Sequence, residues 1–281
     1  MDIRDSFAIL DEAVRVQGAK RIVCLFSGGY DSAVATHVAM AWSRERRQWR
    51  VEVASIDTHV SADGWRDYVS DVANAQGWKH RIWDNPDPDW YYRDSALNGF
   101  PYTRAMHGRI VYRMLKERTI DKMRRQIKQY RSDSVLLVAG IRRAESLQRA
   151  TAAEWQRDGL ATWAHPLINW SDDDTSSYRL DAKLPLNPFY NWGAGSGDCQ
   201  CNWGRFISLR VLRKYSPLLA SRIEPADAAC RAKYGYGYGE KPTKPAPDPA
   251  INKPEPIVNL CASCKDDARD EAAAFRELQS W

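Results

Sequence analysis

The sequence lacks the features that mark membrane and secreted proteins. No apolar run approaches the roughly 20 residues that a membrane span needs. The charged start, Met-Asp-Ile-Arg-Asp, is not followed by the apolar core of a signal peptide. We therefore expect a cytoplasmic protein with no membrane partner. Its 281 residues, of which 44% are hydrophobic and 27% charged, are enough to bury a large core.

The cysteines do not indicate a disulfide-stabilised secreted protein. Six cysteines in a chain expected to be cytoplasmic argue against a disulfide framework and for metal or redox chemistry. Cys199 and Cys201 form one closely spaced pair, and Cys261 and Cys264 form another. Two such pairs can place four thiolates around a Zn²⁺ ion or a [4Fe–4S] cluster. The alternative is that these cysteines are unrelated to one another.

Two common phosphate-binding patterns are also missing. Residues 27–32 read Ser-Gly-Gly-Tyr-Asp-Ser, which is neither the Walker pattern nor the Gly-x-Gly-x-x-Gly fingerprint. Continuous apolar residues nevertheless predict a buried strand over 22–26, and a helical apolar period follows over 33–42. A turn from strand to helix directs backbone N–H groups and the positive end of the helix dipole at one point, which favours an anion. The alternative is an ordinary turn that happens to be rich in glycine.

The side chains of this turn suit a phosphate. Gly28 and Gly29 can adopt positive φ and let a phosphate approach the backbone closely. Ser27 and Ser32 add hydroxyl donors, and Asp31 can orient an N–H group or help to hold a metal.

Alternating strands and helices predict an α/β fold with a doubly wound, mostly parallel sheet. The predicted strands are 22–26, 51–56, 79–83 and 134–139. Ligands of such sheets bind beyond the carboxyl ends of the strands, where Ser27, Asp57 and Gly140 fall. The Asp57 carboxylate can hold Mg²⁺ or orient a ribose or adenine group; the alternative is that it caps the next turn.

These segments resemble one family. Ser27–Ser32 resembles the PP-loop, Ser-Gly-Gly-x-Asp-Ser, of the adenine-nucleotide α-hydrolase superfamily, which includes ATP pyrophosphatases, sulfonucleotide reductases and sulfur-transfer enzymes. Asp57-Thr58 and Gly140-Ile-Arg-Arg-Ala-Glu-Ser146, with Arg149 beyond it, resemble segments of the sulfonucleotide reductases in the same order. The resemblance covers roughly residues 20–205 and implies a phosphoadenylyl-sulfate (PAPS) reductase-like protein.

The resemblance also implies the site. The expected nucleotide-binding residues are Ser27, Gly28, Gly29, Asp31, Ser32, Asp57, Thr58, Gly140, Arg142 and Arg149. The expected catalytic residues among them are Ser27, Asp31, Ser32 and Asp57. Arg142 and Arg149 are expected to clamp phosphate oxygens, for which the guanidinium group is well shaped. The expected ligand is ATP, or an adenylyl sulfonucleotide, together with Mg²⁺.

The thiols depart from the reductase pattern. The iron–sulfur reductases carry a Cys-Cys pair before the Gly-x-Arg segment and a catalytic cysteine in a C-terminal Glu-Cys-Gly-(Ile/Leu)-His segment, and this sequence has neither. Without that nucleophile, we favour cleavage of ATP between its α- and β-phosphates, with release of pyrophosphate, in the service of sulfur transfer. Two alternatives stay open: a reductase that releases sulfite, and an inactive module that binds a nucleotide or nucleic acid.

The C-terminal part differs in composition. We expect residues 1–205 to form the nucleotide-binding α/β domain and residues 206–281 to form a small helical, Gly/Pro-rich appendage that carries Cys-x-x-Cys. Pro217 and Pro225 are expected to interrupt its helices. Residues 234–256 are expected to be extended and mobile. Within the first domain, residues 84–101 are expected to form a functional loop.

Positive charge is concentrated in one predicted helix. The net charge is only +5, but residues 104–131 contain ten lysines and arginines against two acidic residues. A helix of this kind can bind a polyanion, so a nucleic-acid acceptor is an expected partner; the alternative is a solvated helix face. A sulfur-donor protein is a further expected partner, and a homo-oligomer is left open.

Overall fold

The computed structural model describes residues 2–19, 21–47, 49–102, 110–127, 134–146, 149–158, 161–202 and 207–242. Within these residues it is an α/β protein with a six-stranded sheet, β1 to β6. The strands are Arg21–Leu25, Val51–Asp57, His80–Asp84, Val135–Val138, Trp155–Asp158 and Ala161–Ala164. The helices α1 to α8 are Ile3–Gln17, Tyr30–Arg46, Trp65–Ala75, Trp90–Asn98, Arg118–Ile127, Asp172–Asp181, Leu209–Tyr215 and Pro217–Tyr234.

The strand order is β3-β2-β1-β4-β6-β5, and all neighbours are parallel except β5 and β6. This confirms the predicted doubly wound, mostly parallel sheet. The chain leaves β1 for β2 on one side and later returns to pair β4 with the other side of β1. The crevice where the strand order reverses is where open sheets of this type bind ligands. It lies between the ends of β1 and β4, next to residues 27–32 and Gly140.

Both faces of the sheet are covered. On β1, Ile22 and Cys24 belong to one buried cluster and Val23 belongs to another, as the alternation of side chains along a strand requires. The first cluster includes buried side chains of α2, α3 and α8, and the second includes Ile120 and Met123 of α5. Sequence alone missed β5, a short antiparallel strand at the sheet edge, because its sequence, Trp-Gln-Arg-Asp, is mostly polar.

Three expectations for the remaining segments were wrong. The segment 84–101 contains helix α4, so it is not a loop throughout. The expected interruption at Pro217 is confirmed, because α7 ends at Tyr215 and Pro217 begins α8, but Pro225 lies inside α8 and does not interrupt it. Residues 236–239 are folded: Tyr236 and Tyr238 are buried, and Tyr238 packs edge-to-face on Phe100.

The appendage boundary at 205/206 stays a prediction. Helix α8 packs against α4 of the first predicted domain. Residues 243–281, with Cys261, Cys264 and the rest of the segment expected to be mobile, lie outside the described residues. In the described part of the chain, no helix combines the length and hydropathy needed to cross a bilayer.

Burial at the end of β6 makes stability depend on pH. His165 is fully buried, its Nδ1 lies 2.8 Å from the Ala153 carbonyl oxygen, and burial lowers its pKa to about 4. Because the folded-state pKa lies below that of the unfolded chain, this group contributes full stability above about pH 6.5 and loses it as pH falls towards 4.

We expect wild-type protein to lose about 2 kcal/mol more stability between pH 7 and pH 5 than the His165→Asn variant. Urea unfolding of both proteins, followed by circular dichroism at the two pH values, measures this difference. His37 and His80 also have pKa values lowered by burial, but both remain in the variant and cancel in the comparison. Equal losses in the two proteins would contradict a neutral His165.

Candidate functional site

The loop between β1 and α2 folds around two serine hydroxyls. The Ser32 hydroxyl donates to the Gly29 carbonyl (2.8 Å), its oxygen accepts from the Ser27 N–H (3.2 Å), and the two hydroxyl oxygens are 3.1 Å apart. Gly29 is the N-cap of α2, and among the described residues no side chain caps this helix. The N–H groups of the first turn are therefore left for an anion, which the helix dipole also favours.

Distant parts of the chain fix the shape of this loop. Gly28 has φ +91°, and a Cβ there would stand 3.0 Å from the carbonyl oxygen of Ser196. The indole N–H of Trp65, at the start of α3, donates to the Ser27 carbonyl (2.8 Å). The Asn187 amide donates to the Gly28 carbonyl (2.7 Å). A side chain at position 28 would disturb these contacts, so glycine is required for both conformation and space.

Gly140 and Arg142 both reach α2 at Asp31. A Cβ on Gly140 would stand 2.5 Å from both the carbonyl carbon and the carbonyl oxygen of Asp31, so the backbone after β4 touches the backbone of the loop. The buried Arg142 guanidinium lies between two carboxylates: its Nε is 3.1 Å from Asp31 Oδ1, and its Nη2 is 2.7 Å from Asp172 Oδ1. The structure thus places Arg142 where it orients Asp31; a direct contact with phosphate stays a prediction.

Arg149 is paired in a similar way. Its guanidinium forms an ion pair with Glu145, whose carboxylate also accepts the backbone N–H of Arg142. Burial raises the pKa of Glu145 to about 7, the positive charge of Arg149 opposes this rise, and the negative charge of Asp31 adds to it. Arg142, Arg149, Asp31 and Glu145 therefore form one compact cluster of alternating charge beside the loop.

Asp57 ends β2 next to its register partner Asp84 at the end of β3. The buried Asp57 carboxylate accepts the His59 N–H (2.8 Å), and Arg66 Nη1 bridges it to Asp84 at 2.5 and 2.6 Å. Asp57, His59 and Asp84 offer potential metal ligands within 4.8 Å of one another, but Arg66 already compensates the two carboxylates. The bond to His59 N–H is the turn-capping contact that the sequence left open.

Thr58 is buried, and its hydroxyl donates to the carbonyl of Asp198 (2.8 Å) rather than facing the loop. The Asp198 carboxylate forms a buried ion pair with Lys116 (2.6 Å). Sequence reasoning missed this pair, because Lys116 is one of many basic residues in its helix and Asp198 lies 82 positions away.

Aromatic side chains cover the outer side of the loop. Tyr30 stacks on Tyr190, with ring centroids 4.3 Å apart and planes 6° from parallel. Arg179 lies over the Tyr30 ring at 4.6 Å, and the Tyr190 hydroxyl would be 3.4 Å from a Cβ on Gly29. The position of Tyr30 within the motif was visible in the sequence, but its stacking partner was not.

Two of the four expected metal ligands, Cys199 and Cys201, lie within the described residues. Cys199 is half-buried and Cys201 is buried, and both are free of disulfides. Tyr91 donates to the Cys201 carbonyl (3.0 Å), and this bond ties the segment to α4. Cys261 and Cys264 lie outside the described residues, so the four-cysteine site stays a prediction.

The basic segment is helical over its described part. A π-helical turn, Arg113–Glu117, runs into α5. Its exposed basic residues are Arg113, Arg118, Lys122 and Arg125. Residues 103–109 and 128–133 lie outside the described residues, so the full predicted helix is not tested.

Comparisons with known proteins place this chain. The model of the phosphoadenosine phosphosulfate reductase domain matches residues 21–210. A phosphoadenylyl-sulfate (PAPS) reductase from Candida auris, in a phosphate complex, is similar at 15% identity and a TM-score of 0.47; the match covers 67% of this chain and 84% of that chain. An FMN adenylyltransferase from Candida glabrata, in complex with FMN and an ATP analogue, is similar at 14% identity and a TM-score of 0.48, covering 68% and 60%.

The family assignment rests on the family model. A comparison with curated protein sequences finds no significant match. The family model covers most of the chain and includes the loop at 27–32, Asp57, and the segment from Gly140 to Arg149. The chain therefore belongs to the phosphoadenosine phosphosulfate reductase domain family of PP-loop nucleotide-binding enzymes.

Proposed function

We propose that this protein cleaves ATP between the α- and β-phosphates, transfers the adenylyl group to an acceptor and releases pyrophosphate. The observation that supports this most directly is the PP-loop: the N-terminus of α2 has no side-chain cap among the described residues, and two serine hydroxyls stand beside it. Negative charge builds up on the pyrophosphate as it leaves. The N–H groups of the PP-loop already lie beside the proposed phosphate site, so they can stabilise that charge without rearranging during the reaction.

The proposed roles of the site residues follow from their contacts. Ser27, Ser32 and the backbone at Gly28 and Gly29 would bind the phosphate groups. Asp31, at the first turn of α2, is held by Arg142, and this pair would orient the carboxylate towards the bound nucleotide.

Carboxylate oxygens are ligands that Mg²⁺ accepts, and we propose Asp31 and Asp57 as residues that would hold this ion. Mg²⁺ would neutralise charge on the phosphates. Both carboxylates already have an arginine partner, Arg142 and Arg66 respectively, so the ion would share or replace these contacts.

The four-cysteine site belongs to the proposed sulfur-transfer role. The two described thiols, Cys199 and Cys201, are uncrosslinked, and thiolates suit both Zn²⁺ and iron–sulfur clusters. The exposed basic residues of the segment 113–125 favour a nucleic acid as the acceptor, since lysine and arginine groups bind phosphates. A sulfur-donor protein completes the proposed scheme.

A sulfonucleotide reductase is the second candidate, favoured by one observation. Cys199 is half-buried and directly follows Asp198, whose carbonyl is bonded to Thr58 at the end of β2. The backbone before Cys199 therefore adjoins the end of β2, where the proposed nucleotide-binding residues Asp57 and Thr58 lie. In contrast, Cys24 is fully buried inside β1, and burial raises its pKa far above the usual range.

The Ser32→Ala variant tests the proposed function. We expect it to lower kcat/KM for pyrophosphate release from ATP by about 10²-fold, because it removes a hydroxyl that would turn from the Gly29 carbonyl to the leaving group. The assay measures pyrophosphate with ATP, Mg²⁺ and the full-length protein. Ser221→Ala is the matched control, because the hydroxyl of this exposed serine donates to the Leu218 carbonyl of its own helix.

Three outcomes separate the candidates. Pyrophosphate release that depends on Ser32 supports adenylyl transfer. Sulfite release from an adenylyl sulfonucleotide that is lost in Cys199→Ala supports the reductase. Tight binding of ATP with neither product supports a binding module and refutes both enzymes.

A further inference from the structure

A buried ion pair beneath the PP-loop has no role in the chemistry proposed above. Lys116 Nζ lies 2.6 Å from Asp198 Oδ2, and the two side chains are 8% and 6% exposed. Burying two charges costs solvation free energy that their attraction repays only in part. A pair of this kind is therefore weak evidence for stability. We therefore consider which neighbouring segments the ion pair between Lys116 and Asp198 holds in position.

The second carboxylate oxygen of Asp198 contacts the PP-loop indirectly, through Ser196. Asp198 Oδ1 accepts the hydroxyl of the buried Ser196 (2.6 Å). The Ser196 carbonyl stands 3.0 Å from the place where a Cβ of Gly28 would be, and it also accepts the Asn187 amide (3.2 Å). The Ser196 Cβ lies 3.3 Å from the place of a Gly29 Cβ. Ser196 is thus packed directly against both glycines.

The backbone carbonyl of Asp198 is bonded to the turn after β2. Its carbonyl accepts the Thr58 hydroxyl (2.8 Å) and lies 2.9 Å from the Ser61 hydroxyl. The same Ser61 oxygen is 3.1 Å from Asp57 Oδ1. Asp198 therefore connects two of the three segments that carry the proposed nucleotide-binding residues, those at the ends of β1 and β2.

Lys116 brings a third element to this point. It lies in the π-helical turn Arg113–Glu117, where two consecutive side chains, Leu115 and Lys116, are both buried. Wide turns of this type often occur at functional sites. The lysine charge keeps a carboxylate at position 198 in one orientation, with one oxygen on Lys116 and the other on Ser196.

We propose that Lys116 and Asp198 are positioning residues, which hold the PP-loop in its binding conformation through Ser196. The catalytic part of this inference rests on the proposed function, whereas the conformational part does not. If the pair only stabilised the fold, any loss of stability of equal size elsewhere would affect the PP-loop equally. If the pair positions the loop, only changes in this network would do so.

Hydrogen exchange followed by mass spectrometry, on the full chain without nucleotide, distinguishes a positioning role from a purely stabilising role. Within residues 27–32, the N–H groups of Ser27 and Gly29 donate to the Ser32 and Ser27 hydroxyls, and we expect these two amides to exchange at least tenfold faster in Ser196→Ala and in Asp198→Asn than in the wild type. Ser196→Ala removes the hydroxyl donor to Asp198 Oδ1 but keeps the ion pair between Lys116 and Asp198, so we expect a smaller shift of its urea midpoint than in Asp198→Asn. This variant therefore tests positioning even if Asp198→Asn folds poorly.

Asp227→Asn is the matched control. Asp227 is also a buried aspartate, bonded to Arg231 and to the backbone N–H of Tyr238, away from the PP-loop. We expect it to change exchange of residues 27–32 by less than twofold. Wild-type exchange in Ser196→Ala, or equal acceleration in Asp227→Asn, would overturn the proposal.

Kinetics give the second readout. We expect Ser196→Ala to raise KM for ATP about tenfold and to lower kcat less, because the loop must be ordered each time the nucleotide binds. Accelerated exchange without any pyrophosphate release from the wild type would refute the proposed function and leave the positioning role standing. Unchanged exchange with normal release would refute the positioning role alone.

Discussion

Replacing Trp65 with alanine is expected to lower the free energy of unfolding by about 3–5 kcal/mol, the cost of emptying a large core position. Trp65 is fully buried in the cluster between the sheet and α3. It also touches the PP-loop, because its indole N–H donates to the Ser27 carbonyl. The variant should therefore lose nucleotide binding together with stability. Urea unfolding followed by circular dichroism measures the loss of stability, and calorimetric titration with ATP measures the loss of nucleotide binding.

Phenylalanine variants isolate the hydrogen bond. Trp65→Phe keeps an aromatic ring but leaves the Ser27 carbonyl without its indole donor, at a cost of about 1–3 kcal/mol. Trp78 is the matched control: it is also buried, but its indole N–H has no hydrogen-bond partner among the residues that the structure describes. Trp78→Phe should cost less than Trp65→Phe, because it removes a donor that is already unpaired. Equal costs would show that the bond to Ser27 contributes nothing.

The sheet could be predicted from the sequence because its central strands are continuous apolar runs. Buried parallel strands lack polar alternation, and Val135–Val138 is a clear example. Strand β5 lacked such a run and was missed. The tyrosines at 236 and 238 were misjudged for a related reason: a repeat of tyrosine and glycine looks like low complexity, and only the tertiary structure supplies Phe100 and Gln200 as partners.

The PP-loop could be predicted because its residues are consecutive. Its supports could not, because they come from distant positions: Asn187 and Ser196 in the loop before Cys199, and Lys116 from a helix. The geometry also changes the expected role of some residues. Arg142 was expected at a phosphate, yet its side chain contacts Asp31 and Asp172. A motif identifies which residues matter, but the partner of a charged side chain is decided by the fold.

The backbone at Gly140 packs directly against the backbone of Asp31 at the start of α2, and the Gly140→Ala variant tests whether this contact controls the PP-loop. The added methyl would have to stand 2.5 Å from two backbone atoms of Asp31, which cannot move without shifting the start of α2. We expect a loss of about 3 kcal/mol, the upper end for overpacking, since no flexible side chain can yield. ATP affinity should fall at least tenfold, because the PP-loop donors move with the helix. Urea unfolding and calorimetric titration measure the two effects.

Gly77→Ala is the control that separates a local clash from a general effect of removing a glycine. A Cβ at Gly77 would meet no atom of the described residues within 4 Å, but φ there is +64°, so the substitution costs about 1 kcal/mol of backbone strain. It should therefore destabilise the protein without changing ATP affinity. If Gly140→Ala behaved in the same way, the contact with Asp31 would not control the PP-loop. If affinity fell only in Gly140→Ala, the approach of the β4 end to α2 would be what sets the geometry of the phosphate site.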